Sequence, residues 1–195
     1  MKPDKELAGI AATLFNIMEI ILRSYDDRNF SKTMKNKHSQ KIVPFLWFDK
    51  NAEAAVKYYR SIFKNSRIVE ILRCGEAGPG PKGSVLTIAF ELEGQRFIAL
   101  NGGPKEKFSL AMSLLVNCKN QKEVDTLWNK LSAGGKKIAC GWLTDKFGVT
   151  WQITPTILLD YLHDKNPTTA KNVMLAMMKM QKLDINRLQQ AYRKK

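Results

Sequence analysis

The fold is decided by PFLWFDKNAEAAVKYYRSIF at residues 44–63, which recurs in altered form as LLVNCKNQKEVDTLW at residues 114–128. In each stretch, a short apolar run rich in strand-forming residues precedes apolar side chains at helical spacing. Shifting the first stretch by 69 residues places Tyr59 on Trp128. Internal repetition of this kind outweighs local propensity. The sequence therefore predicts two copies of one strand–helix unit.

Three more strands follow the first helix, so the unit reads strand, helix and three strands, or βαβββ. They are predicted at 67–74, 84–92 and 96–100, with Glu93-Gly94-Gln95 as a tight hairpin. The second unit is a trimmed copy. Its strand is predicted at 110–116, and its helix begins with a capping pair, Asn120 and Glu123. At its end, Trp151 corresponds to Phe97 and Gln152 to Ile98, an offset of 54 residues.

The chain is predicted to have three parts and an α+β fold. Residues 1–41 comprise an amphipathic helix at 5–25 and a polar linker, 42–155 form the repeat domain, and 156–195 form a helical extension. The repeat domain divides into modules at 42–104 and 105–155. Three helices are predicted in the extension, at 156–162, 167–180 and 184–193.

Charge and composition restrict the possible partners. The net charge is +14, but the basic residues are spread along the chain without interleaved aromatics, which argues against a nucleic-acid partner. No apolar run approaches the roughly 20 residues that span a bilayer, so no membrane partner is expected. Three cysteines without paired spacing are typical of reduced thiols in the cytoplasm. We therefore expect a soluble cytoplasmic protein.

The sequence resembles a bacterial family within the glyoxalase, bleomycin-resistance and dioxygenase (vicinal oxygen chelate) superfamily. This PhnB-like group is also named the 3-demethylubiquinone-9 3-methyltransferase domain. Besides residues 44–63 and 114–128, the resemblance is carried by GEAGPGPKGSVLTIAFELEGQRFIALNGGP, LSAGGKK, CGWLTDKFGVTWQITP and NVMLAMMKMQKLDI. It implies glyoxalase-like modules that curve into a U-shaped open barrel around a pocket, usually in a homodimer. Glu106 stands where the family usually has an aromatic residue.

Metalloenzymes of this superfamily usually place His, Glu or Gln on the first and last strands of each module. Here the opening stretches of the two modules, 42–48 and 111–117, contain no His, Asp or Glu. The last strands supply only Gln152, because its counterpart is Ile98. One side chain cannot hold a divalent cation. We therefore predict no metal and no cofactor.

Six residues are the candidates for contacting a ligand: Trp47, Asn101, Phe108, Cys140, Trp142 and Gln152. The indoles offer apolar area and one N–H donor each, although tryptophan is more often a core residue. The two amides suit a pocket with few polar groups, but capping of strand ends explains them equally well. Cys140 is the best nucleophile candidate, yet no histidine is near it in sequence, which favours a structural thiol.

These observations favour a metal-free, homodimeric protein that binds a partly aromatic small molecule, neutral or anionic. The alternative is an enzyme of unknown reaction, acting on a quinone-like or phosphonate-related substrate as the family names suggest. Methyl transfer has little support, because the Gly-rich stretch 75–83 lies between two strands and does not open a helix. A third possibility is a regulatory protein that acts through its terminal helices.

Overall fold

The computed structural model describes residues 40–76 and 78–194. The helix predicted at 5–25 lies outside them. The chain divides into two compact units, the first ending at Glu106 and the second beginning at Lys107. Both units combine helices with a mixed sheet, which confirms the predicted α+β class. In the described part of the chain, no helix is long and apolar enough to cross a membrane.

The first unit is a βαβββ module. Its elements are β1 (Phe45–Phe48), α1 (Ala52–Ile62), β2 (Ser66–Arg73), β3 (Val85–Leu92) and β4 (Gln95–Asn101). The strand order is β1-β4-β3-β2, with β1 parallel to β4 and the other pairs antiparallel. The first strand is shorter than predicted: Ile42 is 86% exposed, and Pro44 has no N–H to donate to a ladder.

Helix α1 covers one face of this sheet. Its buried side chains include Ala55, Tyr59 and Ile62, all predicted from their helical spacing. Beneath them, the rings of Phe90 and Phe97 are buried and stacked with their centroids 5.5 Å apart. We call the opposite face of each sheet, away from the helix, its open face.

The second unit repeats the first. Its elements are β5 (Leu114–Cys118), α2 (Gln121–Ser132), β6 (Lys136–Lys137), β7 (Trp142–Thr144) and β8 (Thr150–Pro155). The order β5-β8-β7-β6 and the parallel pairing of β5 with β8 match the first sheet. Two βαβββ modules are thus confirmed. Closure of the sheets into one open barrel stays a prediction.

The predicted strand at 110–116 is wrong in its limits. Leu110 is 54% exposed, and the strand starts four residues later, at Leu114. The cause is the partner strand, because β8 begins at Thr150 and its pairing with β5 begins at Trp151. The apolar residues before Leu114 are therefore not paired with β8 in the ladder.

The start of α2 confirms the predicted capping pair. The side chain of Asn120 accepts a hydrogen bond of 3.0 Å from the Glu123 amide. The Glu123 carboxylate accepts one of 2.7 Å from the Lys119 amide. The first bond satisfies a first-turn amide that the helix leaves unpaired, and the second satisfies the amide of the residue before the cap.

The two modules differ by one residue between the opening strand and the helix. The helices correspond at an offset of 69 residues, as predicted. However, Phe48 pairs with Asn101, and Cys118 with Pro155, at the ends of the two parallel ladders. The opening strands therefore correspond at an offset of 70. Since successive side chains alternate between the faces of a sheet, the counterpart of Trp47 is Asn117 rather than Val116.

Three helices follow the second sheet: α3 (Ile157–Leu162), α4 (Pro167–Met178) and α5 (Ile185–Tyr192). They share a small core that contains Leu158, Val173, Met180, Leu183 and Leu188. This confirms the predicted helices within one or two residues at their ends. The Gln121 side chain joins them to α2, because it donates to the Leu183 carbonyl at 3.2 Å and accepts from the Ile185 amide at 2.8 Å.

Candidate functional site

The two candidate residues of the first module use their polar groups within the module. The Trp47 indole N–H donates to the Gly103 carbonyl at 2.9 Å. Asn101 accepts from the Ala52 amide at 2.9 Å and donates to the Val85 carbonyl at 3.0 Å. Asn101 thus caps α1 and ties β4 to the start of β3. The capping role, one of the two that the sequence left open, accounts for both of these bonds.

On the second sheet, Trp142 and Gln152 lie side by side. They form a cross-strand pair between β7 and β8, and Gln152 also pairs with Leu115 on β5. Leu143, the next residue along β7, is fully buried and pairs with buried Trp151. Because neighbouring side chains alternate, Trp142, Gln152 and Leu115 share the open face as one row across three strands.

This row carries polar groups that have no partner in the described part of the chain. The Gln152 side chain donates to the Ser113 hydroxyl at 2.7 Å, which orients the amide and leaves its oxygen free to accept. Among the described residues, the Trp142 N–H has no acceptor and no buried side-chain nitrogen or oxygen lacks a partner, so this part of the chain leaves the N–H open. By contrast, the Trp151 N–H donates to buried Asp145 at 2.9 Å. The row therefore presents one donor and one acceptor beside the 49% exposed Leu115.

Phe108 belongs to the segment that leads into β5. Its ring lies against Gly148 in the turn between β7 and β8, where an added Cβ would be 3.6 Å from the ring. One residue on, the Ser109 carbonyl accepts from the Thr150 hydroxyl at 3.3 Å. The segment thus follows β8 from Gly148 towards Gln152 and borders the row at one end.

Cys140 is not part of this row. Its amide donates to the Met180 carbonyl at 2.8 Å, and the Gly141 amide donates to the Gln181 carbonyl at 2.8 Å. The thiol contacts the Met177 carbonyl at 3.7 Å. The residue takes a positive φ of 54°, which a non-glycine residue seldom adopts. Cys140 thus lies in a strained turn that fastens the end of α4 to the second module.

No described cysteine shows the surroundings of an activated nucleophile. Cys118 is fully buried, and desolvation, followed by the charge of Glu123, raises its pKa to about 12. Such a thiol stays protonated at neutral pH, whereas the thiolate is the reactive form. Cys74 is also buried, against Leu86 and Leu100.

The residues at the superfamily's metal-ligand positions do not fit a divalent cation. The first and last strands direct Phe45, Trp47 and Ile98 to one open face, and Leu115, Asn117 and Gln152 to the other. Among the described residues, no three His, Cys, Asp or Glu side chains come together. Of the six side chains on these strands, only Gln152 is of a type that the superfamily uses as a ligand, and one neutral amide does not hold a divalent cation.

Leu115, Ser113 and Asn117 were missed by the sequence reasoning. The alternation of side chains along 113–117 indicates a shared face, but the strand was predicted to begin at residue 110 and begins at Leu114. Only the pairing of Leu115 with Gln152 shows which residues of this stretch share a face with the candidate amide.

Comparisons with known proteins place this arrangement in a family. A sequence profile described as 3-demethylubiquinone-9 3-methyltransferase matches residues 40–154, so α3 to α5 lie beyond the match. A solved structure from Bacillus cereus, described as a putative 3-demethylubiquinone-9 3-methyltransferase, PhnB protein, is 40% identical; the match covers 60% of this chain and all of that chain, with a TM-score of 0.54.

Two further structures, proteins from Pseudomonas aeruginosa and Staphylococcus aureus, are 25% and 32% identical, with TM-scores of 0.49 and 0.28. Their matches cover 58% and 59% of this chain and 95% of each of theirs. No curated protein matches the chain. With the profile spanning more than half of its length and the repeated βαβββ topology, the chain belongs to the 3-demethylubiquinone-9 3-methyltransferase family.

Proposed function

We propose that this protein binds a small molecule on the open face of its second module and does so without a resident metal. The observation that carries the proposal is the row of Trp142, Gln152 and Leu115, which combines a free N–H donor, a free amide acceptor and exposed apolar area. Ligand sites in proteins typically combine apolar walls with a few such oriented polar groups.

The first module offers less for recognition. At the positions that correspond to Leu115 and Gln152, its open face has Phe45 and Ile98. The nearby Trp47 N–H is already bonded to Gly103. At these two positions the repeat has therefore diverged, with two apolar side chains in the first module and a free amide beside a leucine in the second, which favours the second as the recognition surface.

The family description raises methyl transfer as a second candidate function. A sulfonium cofactor is normally held by a Gly-rich turn that opens a helix after a strand. In this chain the Gly-rich stretch 75–83 joins the antiparallel strands β2 and β3, and its Gly83 amide bonds back to Cys74 at 2.8 Å. The described residues therefore do not fit that cofactor.

We further propose a homodimer in a bacterial cytoplasm. The relatives described above come from bacteria. Cys74, Cys118 and Cys140 are free thiols, which suits a reducing compartment. The dimer is an expectation from the family resemblance.

Native mass spectrometry of the freshly purified full chain tests these proposals together, since it reports subunit count, metal content and retained molecules. Ligand-observed NMR with a fragment library then compares wild type with Trp142→Phe and Gln152→Leu. We expect both variants to lose ligands that wild type binds, whereas Gln190→Leu, an exposed glutamine on α5, retains them.

Three results would contradict the proposals. Binding that is unchanged in both open-face variants would exclude this surface. One zinc or nickel ion per chain would overturn the metal-free proposal. Turnover of a retained molecule, abolished by Cys140→Ala, would make the protein an enzyme rather than a binder.

A further inference from the structure

We propose that the open face of the second module selects an aromatic ligand that carries a negative charge, and that Lys136 is the residue that selects the charge. The inference rests on the proposed function and narrows it, since the sequence alone left neutral and anionic ligands equal. Lys136 was not among the candidates from the sequence. Its role follows from the register of the shortest strand in the sheet.

The register places Lys136 on the same face as the row. Lys136 pairs with Thr144, and Lys137 pairs with Leu143. Leu143 is fully buried on the face opposite the row. Thr144 and Lys136 therefore lie on the open face together with Trp142, while Lys137 belongs to the other face.

The distance between Lys136 and Trp142 is suited to one small ligand that contacts both. Lys136 lies on the strand next to β7, and Thr144 is two residues from Trp142, a step of about 7 Å along a strand. Neighbouring strands are about 4.8 Å apart. The four-carbon stem of lysine can carry its ammonium over such distances, so it can meet an anion bound beside the indole.

The ammonium of Lys136 is exposed and has no acidic partner in the described part of the chain. The residues that share the face are uncharged; from β5, β7 and β8 they are Leu115, Asn117, Trp142, Thr144, Thr150, Gln152 and Thr154. Among the residues of these four strands, an anion at this face therefore meets one cation and no opposing carboxylate. A single unopposed charge attracts such a ligand and adds nothing for a neutral one.

The row of Trp142, Gln152 and Leu115 indicates which groups the ligand has besides its negative charge. Trp142 and Leu115 offer flat and aliphatic apolar surface on either side of Gln152. The free Gln152 oxygen needs a donor, and the Trp142 N–H needs an acceptor. A hydroxylated aromatic carboxylate satisfies all of these, because its hydroxyl donates to Gln152 and its carboxylate accepts from Trp142 and Lys136.

The test uses two probes of nearly equal shape, 3-hydroxybenzoate and the neutral 3-hydroxybenzamide, titrated into the full chain with NMR detection. We expect wild type to bind the carboxylate about fivefold to tenfold more tightly, the effect of one partly screened charge pair. In Lys136→Gln this preference should shrink to less than about twofold, with amide binding unchanged. Lys137→Gln is the matched control and should keep the preference.

Equal binding of the two probes to wild type would overturn the proposal, as would the same loss of preference in Lys137→Gln. Binding of neither probe would also overturn it. The proposed function is tested separately, by whether binding of the library ligands requires Trp142 and Gln152.

Discussion

The indole of Trp47 lies directly over Gly102, so that a Cβ added at residue 102 would clash with the ring atoms Cε2, Cζ2 and Cδ2. The same indole donates its N–H to the next carbonyl, that of Gly103. Glycine at position 102 is therefore required by close approach of the ring. The contact fixes Trp47 at the edge of a cluster with Cys74, Leu86 and Leu100.

We predict that Gly102→Ala destabilises the protein by about 1 to 3 kcal/mol, because the methyl group must displace the indole from its packed position. Urea unfolding, followed by tryptophan fluorescence, measures the change in unfolding free energy. Gly75→Ala is the control, since an added Cβ there meets nothing within 4 Å. Equal stability of the two variants would show that Trp47 can move at little cost.

The Gln121 side chain should control the docking of the C-terminal helices. It forms hydrogen bonds with the Leu183 carbonyl, just before α5, and with the Ile185 amide, at the start of α5. Gln121→Ala removes both bonds, and we expect residues 156–194 to open more easily by about 1 to 2 kcal/mol. Native-state hydrogen exchange measures this opening. Lys122→Ala, an exposed neighbour, should leave exchange unchanged, and equal protection in both variants would refute the prediction.

The ion pair between Asp125 and Lys182, 2.6 Å apart, gives the same helices a pH dependence. The hydrogen bond from Lys182, followed by that from Gln121, holds the pKa of Asp125 below its usual value. A lowered folded-state pKa stabilises the protein above the unfolded value of about 4, and this contribution is lost as the pH falls through the folded pKa. Both partners are partly exposed, so the effect is small and weakened by salt.

Lys182→Ala should accordingly raise the pKa of Asp125 towards its ordinary value and flatten the dependence of unfolding free energy on pH below about 4. Carboxyl NMR titration and urea unfolding at several pH values measure the two effects. Lys179→Ala serves as the control, because this exposed lysine makes no ion pair in the described chain. An unaltered Asp125 titration in Lys182→Ala would contradict the assignment.

Asp145 should be the most costly carboxylate to remove from the second module. It is 3% exposed and accepts from the Trp151 indole and from the Phe147 and Val149 amides. Asp145→Ala leaves buried donors without an acceptor, and we expect a loss of about 2 to 4 kcal/mol in urea unfolding. Asp160→Ala, at an exposed site, should change stability by less than about 0.5 kcal/mol. A comparably small change for Asp145→Ala would disprove the role.

Local features of the sequence were predicted well. The apolar stripe of α1, the cap formed by Asn120 and Glu123, and the hairpin at Glu93-Gly94 are all present, with positive φ at Glu93 and Gly94. Each depends on residues a few positions apart, so composition and spacing are enough to define it.

The candidate site was predicted only in part. Trp142 and Gln152 share a face, but Cys140 contacts residues 37 or more positions away at the end of α4. Strand pairing, which sequence spacing does not reveal, sets Leu115 and Lys136 on the face of Trp142 and Gln152. Likewise, nothing near Trp47 in sequence shows that its N–H is taken by Gly103.

The sequence by itself determined the repeated βαβββ order and the family, because apolar periodicity and repeated stretches are properties of neighbouring residues. Tertiary structure alone decided which side chains face the helices and which remain available to a ligand. The second module has one residue fewer between its opening strand and its helix, so Asn117 is the counterpart of Trp47 in the repeat. Strand pairing places Lys136 beside Thr144. Since side chains alternate along a strand, a shift of one residue exchanges the two faces.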